Sequence, residues 1–142
     1  MRITKLFLFI GIVGLILVSG CNNSVEVTTP TLSDGLIENT PAIVNGSTSF
    51  TYALKAKNYD GSYTNTLILN SKSLEVVVAI CNYSLGRVII DMYNEDNINI
   101  FHGNYIEGVA LTQSLTTETF AKKIQLTLTK VTASVSLVIK AK

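Results

Sequence analysis

From residue 50 onward the chain alternates apolar and polar positions with a period of two. Phe50, Tyr52, Leu54 and Ala56 alternate with Thr51, Ala53, Lys55 and Lys57, which predicts a strand with one apolar face. Asn58-Tyr59-Asp60-Gly61 reads as a turn, because Asp-Gly supplies a residue that tolerates positive φ. A second strand is expected over 62–69. Leu74–Cys81 is apolar on both faces except for Glu75, the pattern of a central strand. Asn82-Tyr83-Ser84-Leu85-Gly86 reads as another turn. Val88, Ile90 and Met92 then share one face of a strand over Arg87–Asn94, and Asn94-Glu95-Asp96-Asn97 turns the chain into Ile98–His102. A short strand is expected around Val109–Ser114. Ile124, Leu126 and Leu128 mark another strand, and Val135, Leu137 and Ile139 mark the last. After the first 21 residues, no window carries a 3.6-residue apolar period of helical length. Seven or eight short strands at roughly ten-residue spacing predict an all-β fold, an antiparallel β-sandwich.

The stretch Ser73–Gly103 combines a buried strand, a Ser-Leu-Gly turn, Arg-Val-Ile-Ile-Asp-Met-Tyr, an acidic turn and Ile-Phe-His-Gly. In this it resembles the jelly-roll-type β-sandwiches that serve as accessory modules on secreted bacterial proteins. The resemblance bears on architecture only.

The N-terminus follows a different rule. Arg2 and Lys5 precede an unbroken apolar run over residues 6–18, thirteen residues long, and Val18-Ser19-Gly20-Cys21 closes the segment. At ~1.5 Å per residue such a run spans about 20 Å as a helix, short of the ~30 Å hydrocarbon core of a bilayer. A basic start, a short apolar core and small residues at the end mark a cleaved secretory signal. The closing Val-Ser-Gly-Cys resembles the lipobox of bacterial prolipoproteins, with Val18 where Leu is usual. The resemblance covers residues 1–21. It implies a diacylglycerol thioether on Cys21 and cleavage after Gly20, leaving a chain held at the extracytoplasmic face of a membrane, at the cell surface or in a periplasm. Two or more acyl chains on one residue make a stable anchor.

Removing residues 1–20 leaves 122 residues, enough for one domain with its own core. Asn22–Ser49 is rich in Asn, Ser, Thr and Gly and holds both prolines, Pro30 and Pro41. It reads as a lipidated tether over 21–48 ahead of a β-sandwich over 49–142. Ala42-Ile43-Val44 offers an earlier start for the folded part.

Loss of Arg2 and Lys5 takes the eleven cationic residues to nine, against ten Asp and Glu. With these charges spread singly, nothing forms a footprint for nucleic acid. Once Cys21 carries lipid, Cys81 is the remaining cysteine, and its apolar neighbours suggest a buried inert thiol.

The motifs for chemistry are few. His102 is the one histidine; beside Gly103 it reads as a strand-end residue. Neither Gly-x-Ser-x-Gly nor Ser-x-x-Lys occurs, and no phosphate-binding glycine loop is present. The sequence therefore predicts no enzyme and no cofactor. Asp91, Glu95 and Asp96, with Asn94 and Asn97, are the candidate calcium ligands, since calcium takes several converging oxygens; the competing reading is a solvated Asx-rich turn. Tyr59, Tyr63, Tyr83 and Tyr105 fall in or beside predicted turns, where they could stack on a sugar. Tyr is also common at strand ends, and the chain has no Trp. Two functions are thus expected. One is a lipid-anchored binding module for a cell-envelope protein, through loops or a sheet edge. The other is a glycan-binding lipoprotein using those tyrosines.

Overall fold

The computed structural model describes residues 35–142. The signal segment, Cys21 and most of the expected tether lie outside the described residues. Six antiparallel strands form one sheet: β1 (Ala42–Asn45), β2 (Ser49–Thr66), β3 (Ser73–Asn94), β4 (Asn99–Tyr105), β5 (Val109–Thr116) and β6 (Ala121–Ala141). The order is β1-β2-β6-β3-β4, with β5 also beside β3. β6 runs the length of β3, from Leu74↔Ala141 to Asn94↔Ala121. On its other side β3 takes β5 against Ser73–Ile80 and β4 against Val88–Tyr93.

The long strands fold double. Phe50 and Tyr63 lie on the same strand, where thirteen extended residues would separate them by about 43 Å. Their ring centroids are instead 6.3 Å apart, and Tyr52 lies 5.5 Å from Tyr63. β2 therefore turns back on itself, and its partners turn with it. The pairing is interrupted at Ala56/Tyr59/Gly61 on β2 and at Cys81/Leu85/Arg87 on β3. Positive φ angles cluster there: Asn58 (48°), Asn82 (52°), Gly86 (107°) and Lys130 (49°). Bulges of this kind bend a strand without ending it. Along β6 the buried positions change parity across the bend, from Ile124, Leu126 and Leu128 to Val131, Ala133, Val135, Leu137 and Ile139. The two facing halves enclose one cluster that includes Phe50, Leu54, Val78, Ile90, Leu126 and Leu137.

The all-β antiparallel expectation holds, but the strand count is six. Asn58–Gly61 and Asn82–Gly86, expected as hairpin turns, are bends inside β2 and β3. All six strands belong to one continuous sheet, where the expected sandwich implied two. β1 also brings the start of the sheet ahead of residue 49. Asn39 supports this entry: its backbone N–H donates to the Lys55 carbonyl, and its amide brackets the Lys57 backbone at 2.8 and 3.1 Å. Cys81 is half-buried on β3 and is disulfide-bonded, which corrects the expectation of an inert thiol.

The bend gives the molecule two different ends. The bend end gathers Lys57–Asp60, Asn82–Gly86 and Thr129–Thr132. The open end gathers both extremities of each long strand, joined by Leu67 N–H to the Lys122 carbonyl, Asn70 N–H to Ser47, Thr117 N–H to Lys72 and Lys142 N–H to Ser73.

Burial at the fold-back has a pH consequence. Tyr52 is fully buried. Desolvation, then the neighbouring Tyr59 and Tyr63 phenols, pushes its hydroxyl well above the usual range; burial moves Tyr105 the same way. The folded chain thus holds these protons after the unfolded chain has lost them. Stability is flat below about pH 10 and falls as pH rises beyond it, by up to about 1.4 kcal/mol per pH unit per retained proton. Urea titrations between pH 8 and 11.5 check this: Tyr52→Phe should flatten the alkaline slope, and an unchanged slope would refute the assignment.

Candidate functional site

The open end carries a concave surface, built around the turn after β3. Asn94 is buried, and its Oδ1 accepts from the backbone N–H groups of Asp96 (3.0 Å) and Ile98 (2.8 Å). Its Nδ2 donates to Thr119 Oγ1 at 2.7 Å. Asn97, at φ 62°, closes the turn by donating its N–H to the Asn94 carbonyl. This Asx turn is fixed by one side chain, whose oxygen binds the turn backbone and whose NH2 binds Thr119. Lys123 Nζ donates to Asn97 Oδ1 at 3.0 Å and lies 4.2 Å from the centroid of the Tyr93 ring, its cross-strand partner. A cation over an aromatic face is held electrostatically.

Between this turn and the end of β2 lies a cleft of about 450 Å³, lined by Thr64, Asn65, Thr66, Asn94, Glu95, Asn97, Lys122 and Lys123. A second recess of about 350 Å³ flanks the other side of the turn, where Ile98, Ile100 and Leu115 add apolar wall. Hydroxyls, amides and two ammonium groups suit a polar, hydroxyl-bearing or carboxylated ligand.

The predicted ion ligands do not converge. Asp91 lies on the outer face of β3, where its Oδ1 accepts from Asn99 Nδ2 at 2.8 Å and faces His102 Nδ1 at 2.7 Å. Glu95 and Asp96 are exposed on the turn. Among the described residues no three His, Cys, Asp or Glu side chains are grouped to hold a metal ion. The exposed His102 is thus tied to Asp91, a pairing that the sequence reading did not anticipate.

The four tyrosines are not brought together either, and all pack partly against the core. Tyr63 stacks on Phe50 and accepts from Asn65 Nδ2 at 2.6 Å. Tyr83 donates to the Gly86 carbonyl at 2.7 Å, inside the bend. Tyr59 covers Gly61 and Tyr105 covers Gly103, so closely that a Cβ on either glycine would fall within 2.7 Å of the ring. An aromatic ring laid over a strand glycine restores the packing the glycine lacks. These rings serve the sheet and offer no common platform for a sugar.

Compared with known protein families and with curated proteins, the chain matches none.

The sheet margins are the other accessible feature. β1 is a four-residue outer strand whose Ile43 and Val44 are exposed. It covers only Phe50–Ala53 of β2. Among the described residues, the later half of β2, from Tyr59 to Thr66, pairs with β6 alone. Unpaired backbone N–H and C=O groups along such a margin are a template for a further strand.

Proposed function

We propose that the protein is a membrane-anchored extracytoplasmic lipoprotein whose β-domain is a binding module for a cell-envelope protein, engaged by strand addition. The observation that carries the reading is the β1 margin, where exposed Ile43 and Val44 lie on an outer strand that leaves most of β2 uncovered. Added strands gain affinity from backbone hydrogen bonds and specificity from alternate side chains. Anchoring rests on the lipobox-like Val18-Ser19-Gly20-Cys21. Cys81 is disulfide-bonded and Cys21 is the other cysteine of the chain; a sulfur held in a lipid thioether cannot also close a disulfide.

The module is read as non-catalytic. Among the described residues the His102 ring bonds Asp91 alone, so the nucleophile of a triad is missing beside it.

Crosslinking on intact cells followed by mass spectrometry tests the module. One dominant envelope protein should be captured, and Ile43→Lys with Val44→Lys should reduce capture at least tenfold with unchanged circular dichroism. Capture that survives both changes would refute edge binding. The polar cleft favours a second reading, a glycan ligand. No protein capture, with glycan retention lost in Lys123→Ala, would select it.

A further inference from the structure

We infer that the cleft at the open end binds a carboxyl-bearing saccharide, its carboxylate held by Lys122 and Lys123 and its hydroxyls by Thr64, Thr66, Glu95 and Asn97. The inference rests on the second reading above, a glycan ligand, and names the class of sugar. Ile43 and Val44, proposed as the protein contact, are not part of the wall of this cleft. Two ammonium groups meet there, each held by neutral neighbours. Lys123 Nζ donates to Asn97 Oδ1 at 3.0 Å and sits 4.2 Å from the Tyr93 ring centroid. Lys122 Nζ lies 5.9 Å from the centroid of Phe120, and Lys72 Nζ lies 5.6 Å from the same ring. Among the described residues, neither Lys122 nor Lys123 forms an ion pair. An amide oxygen or an aromatic face orients an ammonium without cancelling its charge. Each nitrogen also keeps N–H groups for a ligand. Positive charge fixed in place and left uncompensated suits a carboxylate.

The rest of the wall favours a sugar over a simple anion. Glu95 is exposed there; its carboxylate only accepts hydrogen bonds, so it repels a dianion and suits a hydroxyl donor. Thr64 and Thr66 are exposed on the same face of β2, and a hydroxyl both donates and accepts. Asn97 Oδ1 is committed to Lys123, which leaves its Nδ2 to donate. The cleft volume of about 450 Å³ falls within the ~300–1,000 Å³ of small-ligand sites.

The register carries this chemistry beyond the cleft. Met92, Phe101 and Ile124 are buried toward the core, so the residues that alternate with them face outward. Thr66, Lys123 and Tyr93 stand in one outward row, and Thr64, Gln125, Asp91 and His102 in the next. The second row crosses four strands, about 14 Å. A saccharide anchored by its carboxylate in the cleft therefore continues along polar side chains. Asp91 Oδ1 holds Asn99 Nδ2 at 2.8 Å and faces His102 Nδ1 at 2.7 Å. Polar groups already fixed by a neighbour lose little freedom when a ligand binds.

The test uses the full chain in detergent and immobilised oligosaccharides in matched pairs: oligogalacturonides and oligoglucuronides, each beside its carboxyl-reduced, neutral counterpart. The acidic member of a pair should bind at least tenfold more tightly, and added salt should weaken that member alone. Lys122→Gln with Lys123→Gln should bring the two members within twofold of each other at unchanged circular dichroism. Lys122→Arg with Lys123→Arg should keep the preference. Equal affinity of the unaltered chain for both members overturns the carboxylate site and leaves the glycan reading standing; binding of neither removes both. A preference that survives the double glutamine change places the carboxylate elsewhere and overturns the site. An Asp-Glu hexapeptide bound as tightly as the uronates would mark an acidic protein segment as the ligand and overturn the saccharide.

Discussion

Gly86→Ala should lower the unfolding free energy by about 4 kcal/mol, near the upper limit for a single substitution. Gly86 sits at φ 107°, where an L side chain is strained. An added Cβ would lie 2.6 Å from both the Lys130 carbonyl oxygen and Val131 Cα. Both are backbone atoms of β6, the strand flanked by β2 and β3, so neither can swing aside. Lys130 is itself at φ 49°, and the Gly86 carbonyl accepts from Tyr83; the neighbours on both sides are already committed. Gly35→Ala is the matched control. Gly35 has a similar φ of 110°, but nothing lies within 4 Å of the added carbon. It should cost no more than about 1–2 kcal/mol. Urea midpoints for the two variants decide the matter: equal losses would mean that backbone strain alone operates and the strands are not in contact at the bend.

Phe50→Ala should cost about 3–5 kcal/mol. The side chain is fully buried, sits opposite Ile139 on β6, and meets Tyr63 from the other half of its own strand. Removing the ring opens a cavity between two layers that cannot collapse independently, because the same strands run through both. Phe50→Leu keeps most of the volume and should cost under about 1.5 kcal/mol. Thermal or urea denaturation of the pair tests the fold-back itself. If Phe50→Ala lost no more than the leucine variant, the two halves of β2 would not be packed face to face.

The inward face of the sheet was legible because burial on one side of a strand forces a period of two. Phe50, Tyr52, Leu54, Val88, Ile90, Met92, Ile124, Leu126 and Leu128 all point inward as the alternation predicts. The turns were misread for a physical reason. Asn58-Tyr59-Asp60-Gly61 and Asn82 through Gly86 do supply positive φ, yet the same residue types make hairpins and bulges alike. What separates the two is the partner. Residues on both sides of Asn58 pair with β6, more than sixty positions away, and no local pattern encodes that choice.

The cleft was hidden for the same reason, since Lys123 meets Tyr93 and Asn97 only through the β3–β6 register. The tyrosines did carry a readable clue. Tyr59 and Tyr105 each lie two positions from a glycine that is on the same face of the same strand, a spacing that points to packing before ligand binding.

The strand that joins the sheet together is the last of the six to be synthesised. β6 lies between β2 and β3 and pairs with both along most of their length. Until Ala121–Ala141 is available, β2 and β3 have no common neighbour, and their apolar faces have nothing to close against. Whatever handles this chain before β6 emerges therefore meets an open polypeptide, suited to threading through a narrow channel and exposed to aggregation while it waits. Folding of the sheet becomes an event of completion, set by arrival of β6.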